Sequence, residues 1–152
     1  MVPRVLGLAG FVLFLPLSST HSCGGDNVKV TLVVILASEE GNKIDKRLAT
    51  IADEIRKHEP KLKSFHLKSM TTKSLAPGEK MPFALIEDKN ALVVIKHGAD
   101  KENRVSLAVT APNQAEIVYR CVCGKFLPII TRYYTKSKER LILAVRVQPC
   151  ND

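Results

Sequence analysis

VKVTLVVILA, residues Val28 to Ala37, is the most apolar run of the chain outside its extreme N-terminus. In its first half Val28, Val30 and Leu32 alternate with Lys29 and Thr31. In its second half Val33, Val34, Ile35 and Leu36 are apolar on both sides. This pattern predicts a strand that starts half exposed and becomes buried on both faces. Ser38 to Asn42 is a polar loop. Asp45 then stands as the N-cap of a helix, and Ile44, Leu48, Ile51, Ala52 and Ile55 fall on one helical stripe. Lys46, Arg47, Asp53, Glu54 and Lys57 face away from that stripe. Pro60 ends the helix near His58. One helix with one apolar stripe requires one sheet face to cover.

Beyond Pro60 the period switches to two, with Phe65 and Leu67 set against Ser64, His66 and Lys68. Pro77-Gly78 is a turn. Met81 to Ile86 is a short strand whose Pro82 places it at a sheet edge. Ala91 to Lys96 and Arg104 to Thr110 form the next pair, with residues 98–103 as the connection. Ala115 to Cys123, Phe126 to Thr135 and Arg140 to Val147 are expected as three consecutive antiparallel strands. The expected fold class is α+β, with one amphipathic helix on a mostly antiparallel sheet, either open or folded over as a sandwich.

Residues 1–22 fit an export signal. Arg4 precedes the apolar run Val5 to Leu17, and Ser18, Ser19 and Thr20 follow. As a helix this run rises about 20 Å, against roughly 30 Å of membrane hydrocarbon. Cleavage after Ser22 would leave a mature chain, residues 23–152, forming a single α+β domain with no membrane span. Its location would be periplasmic or extracellular. Lipid anchoring at Cys23 is a lesser alternative, since His21 and Thr20 fit a lipoprotein signal poorly.

Cys23, Cys121, Cys123 and Cys150 then form an even set in an oxidising compartment, where disulfides are the first reading. Cys121 and Cys123 lie two apart on a strand, so both leave the face that carries Ile117 and Tyr119. A bond between them would strain the strand. Cys23 and Cys150 bracket the domain and could bridge each other, or each could take a partner from the Cys121/Cys123 pair. The second arrangement is preferred because it leaves no strained ring. A bridge closing a loop of about 100 residues stabilises by up to about 4.7 kcal/mol on a chain-entropy account. A thiol site holding a soft ion at Cys121 and Cys123, with Cys150 as a third ligand, is the alternative.

The net charge is +8, and loss of Arg4 with residues 1–22 leaves +7. Arg120, Lys125, Arg132, Lys136, Lys138, Arg140 and Arg146, opposed by Glu139 alone, contribute +6 of it. Tyr119, Phe126, Tyr133 and Tyr134 are interleaved with them. Cations that neutralise acidic groups, beside rings that stack on sugars or bases, make a polyanion-binding surface. Arg120, Lys125, Arg132, Lys136, Lys138 and Arg140 are the candidate contacts. An acidic envelope polymer or a protein is the expected partner, and nucleic acid is disfavoured. No phosphate-binding glycine loop, zinc-protease helix or nucleophile elbow occurs, and no cofactor or dedicated metal site is implied. The sequence therefore points away from an enzyme and toward an exported binding or interaction domain.

Ile35-Leu36-Ala37-Ser38, Asp45, Leu48, Ile51 to Glu54, Pro60, Leu62 and Phe65, with the β-rich segment at 123–145, resemble a pattern in small exported bacterial proteins of unassigned activity. The resemblance implies an extracytoplasmic domain and brings no catalytic residues with it.

Overall fold

The computed structural model describes residues 26–150. The proposed signal segment and Cys23 lie outside these residues. Eight strands and one helix form three layers. β1 (Val28–Ser38) is followed by a 3-10 turn (Lys46–Leu48) and α1 (Ala49–His58). Then come β2 (Ser64–Leu75), β3 (Lys80–Ala84), β4 (Asn90–His97), β5 (Arg104–Thr110), β6 (Ile117–Val122), β7 (Leu127–Tyr134) and β8 (Arg140–Pro149). The first sheet has the order β2-β1-β8-β7 and the second β3-β4-β5-β6, with every named pairing antiparallel. The expected α+β class holds, in its sandwich form with the helix on one sheet.

β1 sits at the centre of the first sheet because both of its faces are apolar. Val28, Val30, Leu32, Val34 and Leu36 point into the sandwich. There they join Leu141, Leu143, Val145 and Val147 of β8, and Phe83, Val93, Ile95, Val105, Leu107 and Val109 of the second sheet. Val33, Ile35 and Ala37 point the other way. With Ile142, Ala144 and Phe65 they bury Leu48, Ile51, Ala52 and Ile55 of the helical segment. Leu48, Ile51, Ala52 and Ile55 of the stripe read from the sequence are thus buried, whereas Ile44 lies before the helical segment, in a parallel bridge to Phe65, and is only partly buried. Asp45 caps the 3-10 turn, its carboxylate accepting from the Arg47 amide at 3.0 Å, and α1 proper begins four residues later.

Two register shifts shape the first sheet. Val34 pairs with Ser69 but Ile35 with Leu67, so Lys68 is an extra residue in β2. Between Ile130 and Tyr134 the β7–β8 ladder is interrupted. Buried Thr131 replaces the lost bonds there. Its hydroxyl donates to the Leu141 carbonyl at 2.6 Å and accepts from the Tyr133 amide at 3.1 Å.

One expectation fails. The last three strands do not form a continuous meander. β6 pairs with β5 in the second sheet, whereas β7 pairs with β8 in the first. The chain crosses between the sheets over residues 123–126. Gly124 takes a left-handed φ of +83°, and its amide donates to the Val147 carbonyl at 2.9 Å. The local pattern predicted strands correctly but carried no information on which sheet each one joins.

Candidate functional site

The crossover scatters the basic segment over three places. Arg120 lies on the outer face of the second sheet and pairs with Asp100 at 3.0 Å. Arg132, Lys136, Lys138 and Arg140 lie at the β7–β8 hairpin end of the first sheet. Lys125 sits on the crossover, beside the start of α1. The sequence-predicted contacts are thus not one surface.

The hairpin end is poorly suited to an anion. A cleft of about 440 Å³ there is lined by Glu39, Glu40 and Glu59 as well as Lys138, Arg140 and Tyr134. Arg140 is fully used within the fold. It pairs with Glu59 at 3.0 Å, donates to the Thr131 carbonyl at 2.9 Å and lies over the Tyr134 ring. Three carboxylates facing two cations leave little attraction for a further negative charge.

The groove between α1 and the crossover differs. It encloses about 570 Å³ and is lined by Arg47, Thr50, Ile51, Glu54, Lys125, Phe126 and Pro128, among others. Its one carboxylate, Glu54, is already held by Lys57. Among the described residues Lys125 has no ion-pair partner. Arg146 packs on the Phe126 ring, its guanidinium carbon 4.8 Å from the ring centroid. Arg146 has no carboxylate partner among the described residues, and its Nε is buried without a hydrogen bond. Arg47 is oriented by Asp45 through two contacts, at 3.0 and 2.6 Å. The Arg47 hydrogen bonds hold the Asp45 carboxyl down to about 2.

Sequence reasoning did not select Arg47, and it counted Arg146 only as part of the charge run. Arg146 had a readable signal. On the helix-side face of β8, Ile142 and Ala144 give way to Arg146 and Gln148. That change marks where the helix stops covering the sheet.

Among the cysteines, Cys121 and Cys123 are both free thiols. This overturns the preferred pairing of each with a terminal cysteine. The reason is topological: Cys121 faces the sandwich interior opposite Val105, surrounded by core side chains. Cys123 leaves the same face, as expected, and packs against the core from the opening near Lys29, Asn103 and Pro149. Burial pushes the Cys121 thiol up to about 11, and the neighbouring Cys123 adds to the shift. Burial, then Asp100, also raises Cys123. Both thiols are therefore protonated at neutral pH. Cys150 is not a free thiol; its amide donates to the Asn27 carbonyl at 3.0 Å, and its sulfur lies 3.7 Å from the Ser74 hydroxyl. No group of three or more metal-ligating side chains occurs among the described residues.

No family model matches the chain, and comparison with curated proteins and with solved structures finds no match. No helix among the described residues is long and apolar enough to cross a membrane.

Proposed function

We propose that this protein is an exported binding domain, without catalysis of its own, that holds an acidic polymer in the groove between α1 and the β6–β7 crossover. The observation that carries this reading is the pairing of unmatched positive charge with an aromatic wall. Lys125 and Arg146 lack carboxylate partners among the described residues, and Arg146 packs on the Phe126 ring that lines the groove. A sugar acid presents a ring face to stack and a carboxylate or sulfate to neutralise, and this groove matches both. The proposed partner is an envelope polysaccharide of that kind, and export would follow from residues 1–22. A Cys23–Cys150 bridge is the pairing left once Cys121 and Cys123 are free, and it would tie the two ends of the mature chain together.

Retention on a heparin column, eluted with increasing salt, tests the reading. Lys125→Ser with Arg47→Ser should elute at clearly lower salt than the wild type. Lys136→Ser with Lys138→Ser removes the same charge from the hairpin and should shift elution much less. Equal shifts would mean that total charge, not the groove, governs binding.

A second reading rests on the two free thiols that share one strand face. In it, Cys121 and Cys123 hold a soft monovalent cation such as Cu(I), releasing two protons on binding. Thiol titration with and without one equivalent of Cu(I) tests it. Both thiols remaining titratable in the presence of Cu(I) would end this reading.

A further inference from the structure

The groove at Lys125 continues past the crossover. Gly124 lines it and also lines a second depression of about 420 Å³, together with Lys29, Asn103, Cys123, Gln148 and Pro149. A Cβ placed on Gly124 would meet nothing within 4 Å, and its left-handed φ of +83° favours glycine. Residue 124 is thus a bare saddle between the two depressions.

The alternation of β1 and β8 puts Lys29 and Gln148 on the half of the first sheet's outer face that α1 leaves uncovered. Val33, Ile35 and Ala37 point to the helix, so Thr31 and Lys29 follow on the same face beyond its end. Lys29 is exposed and stands opposite Gln148 in the β1–β8 register. Like Lys125, it has no ion-pair partner among the described residues. No acidic side chain lines the second depression. Asp100, which adds to the effect of burial in raising the Cys123 thiol, is held by Arg120 at 3.0 Å and accepts from the Glu102 and Arg104 amides. The Gly124 amide donates to the Val147 carbonyl, so the crossover and β1 flank β8 on opposite sides, two strand spacings or about 10 Å apart. Lys125, Arg146 and Lys29 therefore follow one another across the strands, and no carboxylate among the lining residues interrupts them after Glu54, which Lys57 holds.

We propose that the two depressions form one elongated site, in which a linear acidic oligosaccharide crosses β8 from the Lys125 groove, over Gly124, to a second acid-binding position at Lys29 and Gln148. This site presupposes the groove at Lys125 proposed above and adds a second contact to it. One carboxylate of the ligand meets Lys125 and Arg47 while a carboxylate further along meets Lys29. The Gln148 and Asn103 side-chain amides donate and accept, and so suit the sugar hydroxyls beside that second carboxylate. Phe126 is the only ring among the residues that line the two depressions. One ring fits one stacked sugar, whereas single-stranded nucleic acid is held by stacking of successive bases. The span from Lys125 to Lys29 exceeds one sugar ring, so a short ligand reaches only the first position. A longer chain fills both, the second contact being made within an already bound molecule, and the site thereby selects for length.

Calorimetric titration of the full chain at low salt with digalacturonate and with hexagalacturonate tests this. Wild type should bind the hexamer more tightly than the dimer. Lys29→Ser, at an exposed position, should weaken hexamer binding about two- to fivefold, the effect of one exposed ion pair, and leave dimer binding unchanged. Gln148→Ala should act in the same direction. Lys125→Ser should weaken both ligands, and Lys136→Ser, which removes the same charge at the hairpin, should weaken neither. Hexamer binding that falls with Lys125→Ser but not with Lys29→Ser would overturn the extended site and leave the groove standing, as would equal effects of Lys29→Ser and Lys136→Ser on the hexamer. Binding of neither ligand, or binding of both that ignores Lys125→Ser, would overturn the groove and the extended site together.

Discussion

The two sheets have the same number of strands and the same antiparallel pairing, yet their outer faces differ in what covers them. The outer face of the first sheet is apolar at Val33, Ile35, Phe65 and Ile142 and disappears beneath α1. The outer face of the second sheet is mixed, with Lys80, Lys96, Arg104, Ser106 and Arg120 set among Leu92, Val94, Ala108, Val118 and Val122, and it has no covering layer among the described residues. Having both faces of β1 buried makes the first sheet the scaffold. The proposed groove lies where its helix cover ends.

Substitutions on matched positions should expose this asymmetry. Phe65, fully buried beneath the helix, should show the largest effect: Phe65→Ala is expected to cost about 3–5 kcal/mol in urea unfolding. Loss of less than about 1 kcal/mol would mean that the helix contributes little to holding the first sheet.

The interior between the sheets should reveal itself through pH. The Cys121 thiol is raised to about 11 when folded, while an unfolded cysteine titrates near 8.5. Above the unfolded value the unfolded chain loses this proton first. Stability from this site is therefore complete below about pH 8.5 and is lost as pH rises toward about 11. Comparing urea midpoints at about pH 8 and about pH 10.5, Cys121→Ala should lose less stability than the wild type. Equal losses would place Cys121 outside the dry interior. In the same experiment a neutral-pH alkylating reagent should modify Cys123 well before Cys121.

At the hairpin end of the first sheet, Arg140→Ala breaks the contacts to Glu59 and to the Thr131 carbonyl. Because Glu59 is about one-third exposed, the expected loss is modest, about 1 kcal/mol. On the uncovered face of the second sheet, Val118→Thr should change monomer stability by about 0.5 kcal/mol or less. A cost comparable to that of Phe65→Ala would show that this face is as buried as the one under the helix.

Much of this arrangement was readable from the residues. The switch in β1 from alternating to continuous hydrophobicity marks where the helix begins to cover it. Ile51, Ala52 and Ile55 placed the buried stripe, and Pro82 placed β3 at an edge. What could not be read was the partnering of strands. Cys121 to Arg140 is continuous in sequence, but Gly124 turns the chain from one sheet to the other, and hydrophobic period carries no record of that turn. The basic run was therefore legible as charge but not as a surface. Arg47 and Arg146 are 99 positions apart and meet the same region only through the packing of α1 on β8. The free state of Cys121 has the same origin, since a strand facing the interior of a sandwich packs its thiol among core side chains.

Mapping of backbone amide shifts during titration with an oligogalacturonate tests the proposed groove most directly. The account predicts that the largest shifts cluster at residues 47–51, 124–128 and 146, and that they diminish as salt is raised. Shifts concentrated at residues 132–140, or none at all at low salt, would contradict it.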